Sequence, residues 1–246
     1  MCGRYSLFVT PDELEERFGV SVPADYGPRY NAAPRQDLPV IRADSDAELT
    51  RANWGFLPSW TDDPEDAPRP INARSETVRD KPMFRDAFAS AGAGADLATA
   101  GRCLVPADGF YEWKQEGGGK QPYRVTLADE KPFAMAGLYA VWEGVEKQTG
   151  LDAFAGGGKA EPETRRVVSF TVCTTEPNDL VADLHHRMAV MVPEGEEETW
   201  LHGGVEEAAG LFEPYPAGEM RAYPVSTAVN DPANDSPAVV EELGAN

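Results

Sequence analysis

The chain has 246 residues, enough to bury a full core within one domain. Its 42 acidic and 22 basic residues give a formal net charge of −20, which taken alone argues against a nucleic-acid partner because phosphates repel an acidic surface. No run approaches the ~18 apolar residues of a membrane span, and no basic-then-apolar leader opens the sequence, so a cytoplasmic protein without a membrane span is expected.

The acids are spread along the whole chain and lysines are scarce, a pattern that suits a very salty cytoplasm. In such salt, surface charge is screened within a few Å, and local arginine placement says more about partners than net charge does. The three cysteines, Cys2, Cys103 and Cys173, are few, scattered and odd in number. They argue against a disulfide framework, and neither a C-x-x-C pair nor a His cluster has zinc spacing, so no metal and no cofactor are expected.

In chain order, residues 3–9 read as a first strand. Thr10, Pro11 and Glu13 form a helix start with a capping box, Leu14 and Phe18 give an apolar face, and Gly19 stops the helix. Residues 30–34 read as a loop, 39–42 and 50–55 as strands, and 61–70 as an acidic, Pro-rich loop. Met83, Phe84, Ala87 and Phe88 give residues 81–90 the period of a helix. A long-looped hairpin is expected from 109–114, a Gly turn at 117–119, and 121–127. Residues 133–142 continue the sheet, 143–164 read as an exposed Gly-rich insertion, and 168–172 alternate as a half-buried strand. A helix over 175–184, a strand over 187–192, short helices over 194–201 and 205–211, and a last strand over 222–226 complete the pattern. With no regular βαβ rhythm, the order favours a single α+β domain over residues 1–237. Its core is expected to be mostly antiparallel and barrel-like with short flanking helices, followed by a frayed tail over 238–246.

Four segments carry polar residues in unusual settings. Trimming of Met1 would leave Cys2 with an α-amine and a thiol on neighbouring carbons. Free amines titrate near ~8 and free thiols near ~8.5, so both are partly nucleophilic at neutral pH. The amine can attack an aldehyde to give an imine, and the sulfur can then close a five-membered thiazolidine. In Ile71-Asn72-Ala73-Arg74, Asn72 could orient a substrate oxygen and Arg74 could hold a phosphate; the alternative is a helix cap and a surface arginine. Glu112 lies in the aromatic strand Gly109-Phe110-Tyr111-Glu112-Trp113, where desolvation would raise its pKa toward a proton-transfer role, unless it is simply exposed. His185 and His186 stand at the entrance to an apolar strand, as acid/base or structural residues.

Taken together, the segments MCGRY, YNAAPRQ, WGFLPSW, INARSET, RCLVPADGFYEWK, QPYRV, AGLYAVW, CTTEPN, HHRM and PVSTAVN resemble the SOS response-associated peptidase (SRAP) family of abasic-site-processing proteins, over residues 2 to about 237. The resemblance implies binding to single-stranded DNA and covalent capture of the ring-opened abasic sugar as a thiazolidine, which shields the strand, with possible autopeptidase and lyase activity. By motif, it implies Cys2 as nucleophile, Asn72 holding the opened sugar, Glu112 shuttling protons, and His185 protonating the sugar oxygen and assisting reversal. It further implies phosphate contacts by Arg4, Arg74 and Arg187, and wedging of Pro34 and Trp54 against exposed bases. A monomer, nucleoid-associated when on DNA, is expected. Two departures stand out: Ala189 replaces the Pro that usually follows His-x-Arg-Met, and the chain is unusually acidic. Because phosphate contacts weaken steeply with salt and a formed covalent bond does not, cross-linking should lose less to added salt than reversible binding does. Two other classes begin from the same residues: a glutamine amidotransferase with an N-terminal cysteine, and a non-catalytic reader of single-stranded or modified DNA.

Overall fold

A five-stranded closed barrel forms the centre of the computed structural model, which describes residues 2–45, 47–90, 97–145 and 164–244. Around the barrel run β10 (Thr164–Thr175), β4 (Leu49–Trp54), β3 (Asp37–Arg42), β6 (Ala100–Ala107) and β9 (Phe133–Val145), with β9 returning to pair with β10. Only the β10–β4 contact in this ring is parallel. Closure leaves no free edge in the ring, so all five strands can present apolar side chains inward. The short strands β5 (Asn72–Arg74) and β11 (Met188–Ala189) lie against β10, and β12 (Met191–Val192) lies against β9.

A second, fully antiparallel sheet runs in the order β13 (Met220–Pro224), β8 (Gly119–Leu127), β7 (Gly109–Glu116), β1 (Tyr5–Leu7) and β2 (Arg29–Ala32). Tyr5, Leu7, Phe110 and Val125 from this sheet share one core with the barrel residues. The architecture is α+β, as expected from the sequence.

The chain passes from barrel to second sheet between β6 and β7, and a buried ion pair fixes that corner. Asp108 and Arg124 meet at 2.7 Å with side chains 3% and 7% exposed. Ser6 Oγ donates to Asp108 Oδ1 at 2.6 Å, the Phe8 N–H donates to Oδ2, and Arg124 also donates to the Asp108 carbonyl at 3.0 Å. Both charges are thus paired and hydrogen-bonded, the condition under which burial is tolerated. Gly109 is needed here, because a Cβ would sit 2.7 Å from the Arg124 guanidinium. The network ties β1, β7 and β8 together immediately behind Glu112.

Local signals in the sequence have their expected outcome in several places. Helix α1 (Pro11–Phe18) has both arms of the Thr10–Glu13 capping box and ends at Gly19 with φ of 64°. Helix α2 (Pro82–Ala89) buries Phe84, Ala87 and Phe88, and Phe88 packs on Trp200 of α4 (Glu197–His202) with ring centroids 6.0 Å apart. The β7–β8 hairpin closes through only Gly117 and Gly118, both at positive φ, so the expected long loop is a tight turn. Cys103 and Cys173 are buried strand residues.

Other expectations are corrected. Residues 30–32 belong to β2 rather than a loop, because the buried Asn31 donates from Nδ2 to three carbonyls, of Val229, Asp231 and Asn234. The helix after Thr175 shrinks to α3 (Asp179–Ala182), capped by Asn178, while Val205–Gly210 forms α5. The strand expected over 187–192 breaks at Val190, whose N–H crosses to the Cys173 carbonyl. The tail is packed through Gly244: Val239 is buried, Val225 bridges Glu242, and the Leu243 N–H donates to the Pro224 carbonyl. Of the insertion expected over 143–164, residues 143–145 and 164 continue β9 and β10; 146–163 lie outside the described residues. No helix among the described residues is long and apolar enough to cross a membrane.

Candidate active site

The residues before β1 run alongside β7, with the Tyr111 N–H donating to the Arg4 carbonyl at 2.9 Å. Continuing that antiparallel register sets Gly3 opposite Glu112, and the neighbouring Cys2 lies close enough to feel the Glu112 charge. The thiol of Cys2 is fully buried, and burial together with the charge of Glu112 pushes it up to about 12. A backbone hydrogen bond from Arg4 opposes this only in part. Burial thus shifts the sulfur from the partly ionised state of a free thiol toward the neutral form, in which a base beside it would assist reaction.

Glu112 has the properties of such a base. It is 2% exposed on β7, and burial raises its carboxyl from the ordinary range to about 7. A group that is half-protonated near neutrality can give a proton in one step and take one in the next.

Asn72 opens β5, which runs parallel to the end of β10 with Asn72 opposite Val172. Its Nδ2 donates to the Cys2 carbonyl at 2.8 Å and to the Ile71 carbonyl at 2.7 Å. Both amide protons are thereby used, one of them to hold the amino-terminal segment. The remaining atom, Oδ1, is buried and has no hydrogen-bond partner among the described residues. It is an acceptor waiting for an amine or hydroxyl proton, since a buried polar atom gains most from a partner that arrives.

His185 lies between α3 and β11, on the other flank of the same end of β10. Its Nδ1 lies 3.1 Å from the Arg187 backbone N and 3.2 Å from the Arg187 carbonyl oxygen, accepting from the one or donating to the other according to the ring tautomer. Burial lowers its pKa, which favours the neutral ring. His186 stacks beside it, with centroids 4.2 Å apart.

The arginines divide. Arg74 is exposed and forms no ion pair among the described residues, so it is free to meet an anion. Arg4 is half-buried and donates from Nη1 to Asn31 Oδ1 at 2.8 Å and to the Val229 carbonyl at 2.7 Å. Arg187 is corrected. It is 7% exposed and grips the Glu76 carboxylate with both Nη1 and Nη2, while Nη2 also reaches the Thr174 carbonyl. The Ser75 N–H donates to that same carbonyl at 2.9 Å. Arg187 and Glu76 thus clamp the Asn72 segment and the His185 segment to opposite sides of β10, and the guanidinium offers no open fork to a phosphate.

Trp54 is corrected too. It is fully buried, stacked on Phe170 at 6.0 Å and tilted against Tyr5 at 5.3 Å, with Nε1 donating to the Ile71 carbonyl. No base can reach its face. The aromatic that is presented is Trp60, six residues on in the same WGFLPSW segment and 61% exposed. The signal for it was available: Trp60 follows Pro58 and opens the acidic, Pro-rich loop, a setting that keeps a side chain at the surface. Pro34 is half-buried at the turn after β2. His202 is an exposed helix residue 3.9 Å from Glu198 and takes no part.

Comparison with known proteins agrees with these motifs. The family described as SOS response associated peptidase (SRAP) matches residues 1–232. The chain is 36% identical to the abasic site processing protein YoqW of Bacillus subtilis (strain 168), covering 98% of this chain and 99% of that one. It is 32% identical to the abasic site processing protein HMCES of Gallus gallus, over 89% of this chain and 68% of that one. A crystal structure of a Bacteroides thetaiotaomicron protein superposes with a TM-score of 0.79 at 28% identity, covering 98% of this chain and 99% of that one. The chain, with its barrel and appended sheet, therefore belongs to the SRAP family.

Proposed function

We propose that this protein processes abasic sites in single-stranded DNA by forming a covalent thiazolidine through Cys2 once Met1 has been removed. The observation that carries the reading is the placement of Cys2, its carbonyl held by Asn72, beside a buried carboxyl poised near neutral pH.

The chemistry follows from the protonation states. The ring-opened abasic sugar carries an aldehyde. The α-amine of Cys2 attacks that carbon, and the carbinolamine loses its hydroxyl as water when protonated Glu112 supplies the proton. The resulting carboxylate then takes the thiol proton as Sγ adds to the imine carbon, and the ring nitrogen ends with one hydrogen. One C–N and one C–S bond form, one water leaves, and no oxidant or reductant is needed. A thiol raised by burial favours the order amine first, sulfur second. Asn72 Oδ1 can accept from the reacting amine or from a sugar hydroxyl, and His185, once it has taken a proton from solvent, can give that proton to the sugar ring oxygen during opening and return to the neutral ring.

Mixing the purified protein with single-stranded DNA bearing one abasic site should give a slowly migrating band on a denaturing gel, with none from undamaged DNA. Intact mass should show the loss of one Met from every molecule that reacts. A competent protein that retains Met1 would refute the mechanism. His185→Ala should slow capture where ring opening limits the rate, by about 10²-fold as for loss of a general acid, and slow reversal as well. Normal kinetics would remove His185 from the mechanism.

The two tryptophans provide a separate check. Trp60→Ala should weaken reversible binding of single-stranded DNA by about 1–3 kcal/mol, the value of one stacked base, with the melting temperature unchanged. Trp54→Ala should destabilise the fold by about 3–5 kcal/mol, as for other large buried aromatics. The opposite pattern would reverse their roles.

A further inference from the structure

Away from Cys2, the acidic chain concentrates arginines in one place. Arg51 of β4, Arg69 in the loop before β5, and Arg165 and Arg166 at the start of β10 line a cleft of about 380 Å³, with Asp37 on its rim. Arg35 stands beside it, close enough that its side chain would touch a Cβ placed on Gly55, as would that of Arg69. These charges crowd one another: the pKa of Arg69 is lowered by burial first and then by Arg35 and Arg165. Arg35 itself occupies the left-handed region, φ 73°, where a non-glycine residue is strained.

The cleft arginines are held in two ways. Arg69 is fixed, donating from Nε to the Gly55 carbonyl at 2.9 Å and from Nη2 to Asn53 Oδ1 at 3.1 Å. Arg51, Arg165 and Arg166 instead pair with Asp25, Glu65 and Glu143, whose side chains are 74%, 76% and 61% exposed. Such exposed pairs contribute little to stability, so another anion can displace the acids. A fixed arginine flanked by readily exchanged ones suits a chain of phosphates better than a single small anion.

The cleft is also joined to the reactive end of the molecule. Arg4 bonds Asn31 on β2; the chain then turns through Pro34 and Arg35, whose N–H donates to the Trp54 carbonyl, and the next residue, Gly55, holds Arg69. We infer that this arginine cleft binds backbone phosphates of the DNA flanking an abasic site, as a second anchoring site outside the reactive pocket. The inference rests on the abasic-site reading of Cys2, and it offers a way for a protein of net charge −20 to hold a polyanion: the attraction is concentrated in one track.

The test uses single-stranded oligonucleotides with one abasic site and short flanks, or with one flank extended on either side. In the wild-type protein, extension on one side should raise the rate of adduct formation. In Arg165→Gln/Arg166→Gln that gain should fall several-fold. The slope of log affinity against log salt for an undamaged extended strand should fall by about 0.7 per arginine removed. Arg165→Lys/Arg166→Lys should restore most of the slope, which separates loss of charge from misfolding. An equal gain in wild type and glutamine variant would overturn the inference. If short oligonucleotides are captured but neither extension helps, the cleft inference fails and the capture reading stands. If no abasic strand is captured, the capture reading fails, and the salt slope on undamaged DNA still decides the cleft. Salt-sensitive dimerisation that the glutamine variant abolishes, with DNA binding unchanged, would assign the cleft to the acidic surface of a second copy and also overturn the inference.

Discussion

Cys2→Ala should give no adduct that survives a denaturing gel, yet it should still give one that borohydride can trap. The variant keeps an α-amine after Met1 is removed, because alanine is also small, and that amine can still form an imine with the abasic aldehyde. What it lacks is the sulfur that closes the ring. Because burial and Glu112 raise the thiol pKa, the amine is expected to start the reaction, and the contribution of sulfur is to the permanence of the product. Loss of both the stable and the trappable adduct would mean that sulfur acts before the imine forms. Retention of the stable band would exclude the thiazolidine altogether. A non-catalytic reader of damaged DNA would bind wild-type and variant alike and give neither product.

Glu112→Gln should move rate and stability in opposite directions. Capture should slow by about 10²–10⁴-fold, the range for removing a positioned general acid or base, because glutamine can neither give nor take the proton. Stability should rise at alkaline pH. The folded carboxyl titrates near 7 and the unfolded one near 4.5, so between these values the folded state keeps a proton that the unfolded state has released. The contribution of this group is therefore most favourable below about pH 4.5 and is lost as pH rises through 7, by up to about 3 kcal/mol. Glutamine has no charge to bury, so the variant should melt above the wild type at pH 8 and close to it at pH 4.5. A residue with a purely structural role would lower both quantities together. An unchanged rate would remove Glu112 from the mechanism, and a lower melting temperature at pH 8 would contradict its buried setting.

The strength of the site is in its supports. Asn72 uses both amide protons on backbone carbonyls, the Arg187–Glu76 clamp spans β10, and the Asp108–Arg124 pair holds the corner behind Glu112. Each ties together segments far apart in the chain, and supports of that kind are how a small set of side chains can be kept in a fixed geometry.

What the sequence determined by itself were features whose physics is local. The Thr10–Glu13 cap and the Gly19 stop involve residues a few positions apart, and residues 168–172 do form a strand, although it is not half-buried as its alternation suggested: Ser169 and Thr171 are as buried as Phe170 and Val172. The identities of Cys2, Asn72, Glu112 and His185, and the chemistry available to them, were legible for the same reason, since functional groups are written in the side chains. Only the tertiary structure decided what depends on which distant segments meet. It buried Trp54 between Tyr5 and Phe170 and left Trp60 outside, although both lie in one seven-residue motif. It turned Arg187 inward onto Glu76, made residues 30–32 a strand by giving Asn31 carbonyls from residues 229–234, and packed a tail that looked free. Burial, and with it pKa and availability to a ligand, is set by contacts between residues far apart in the chain, and no local pattern encodes those.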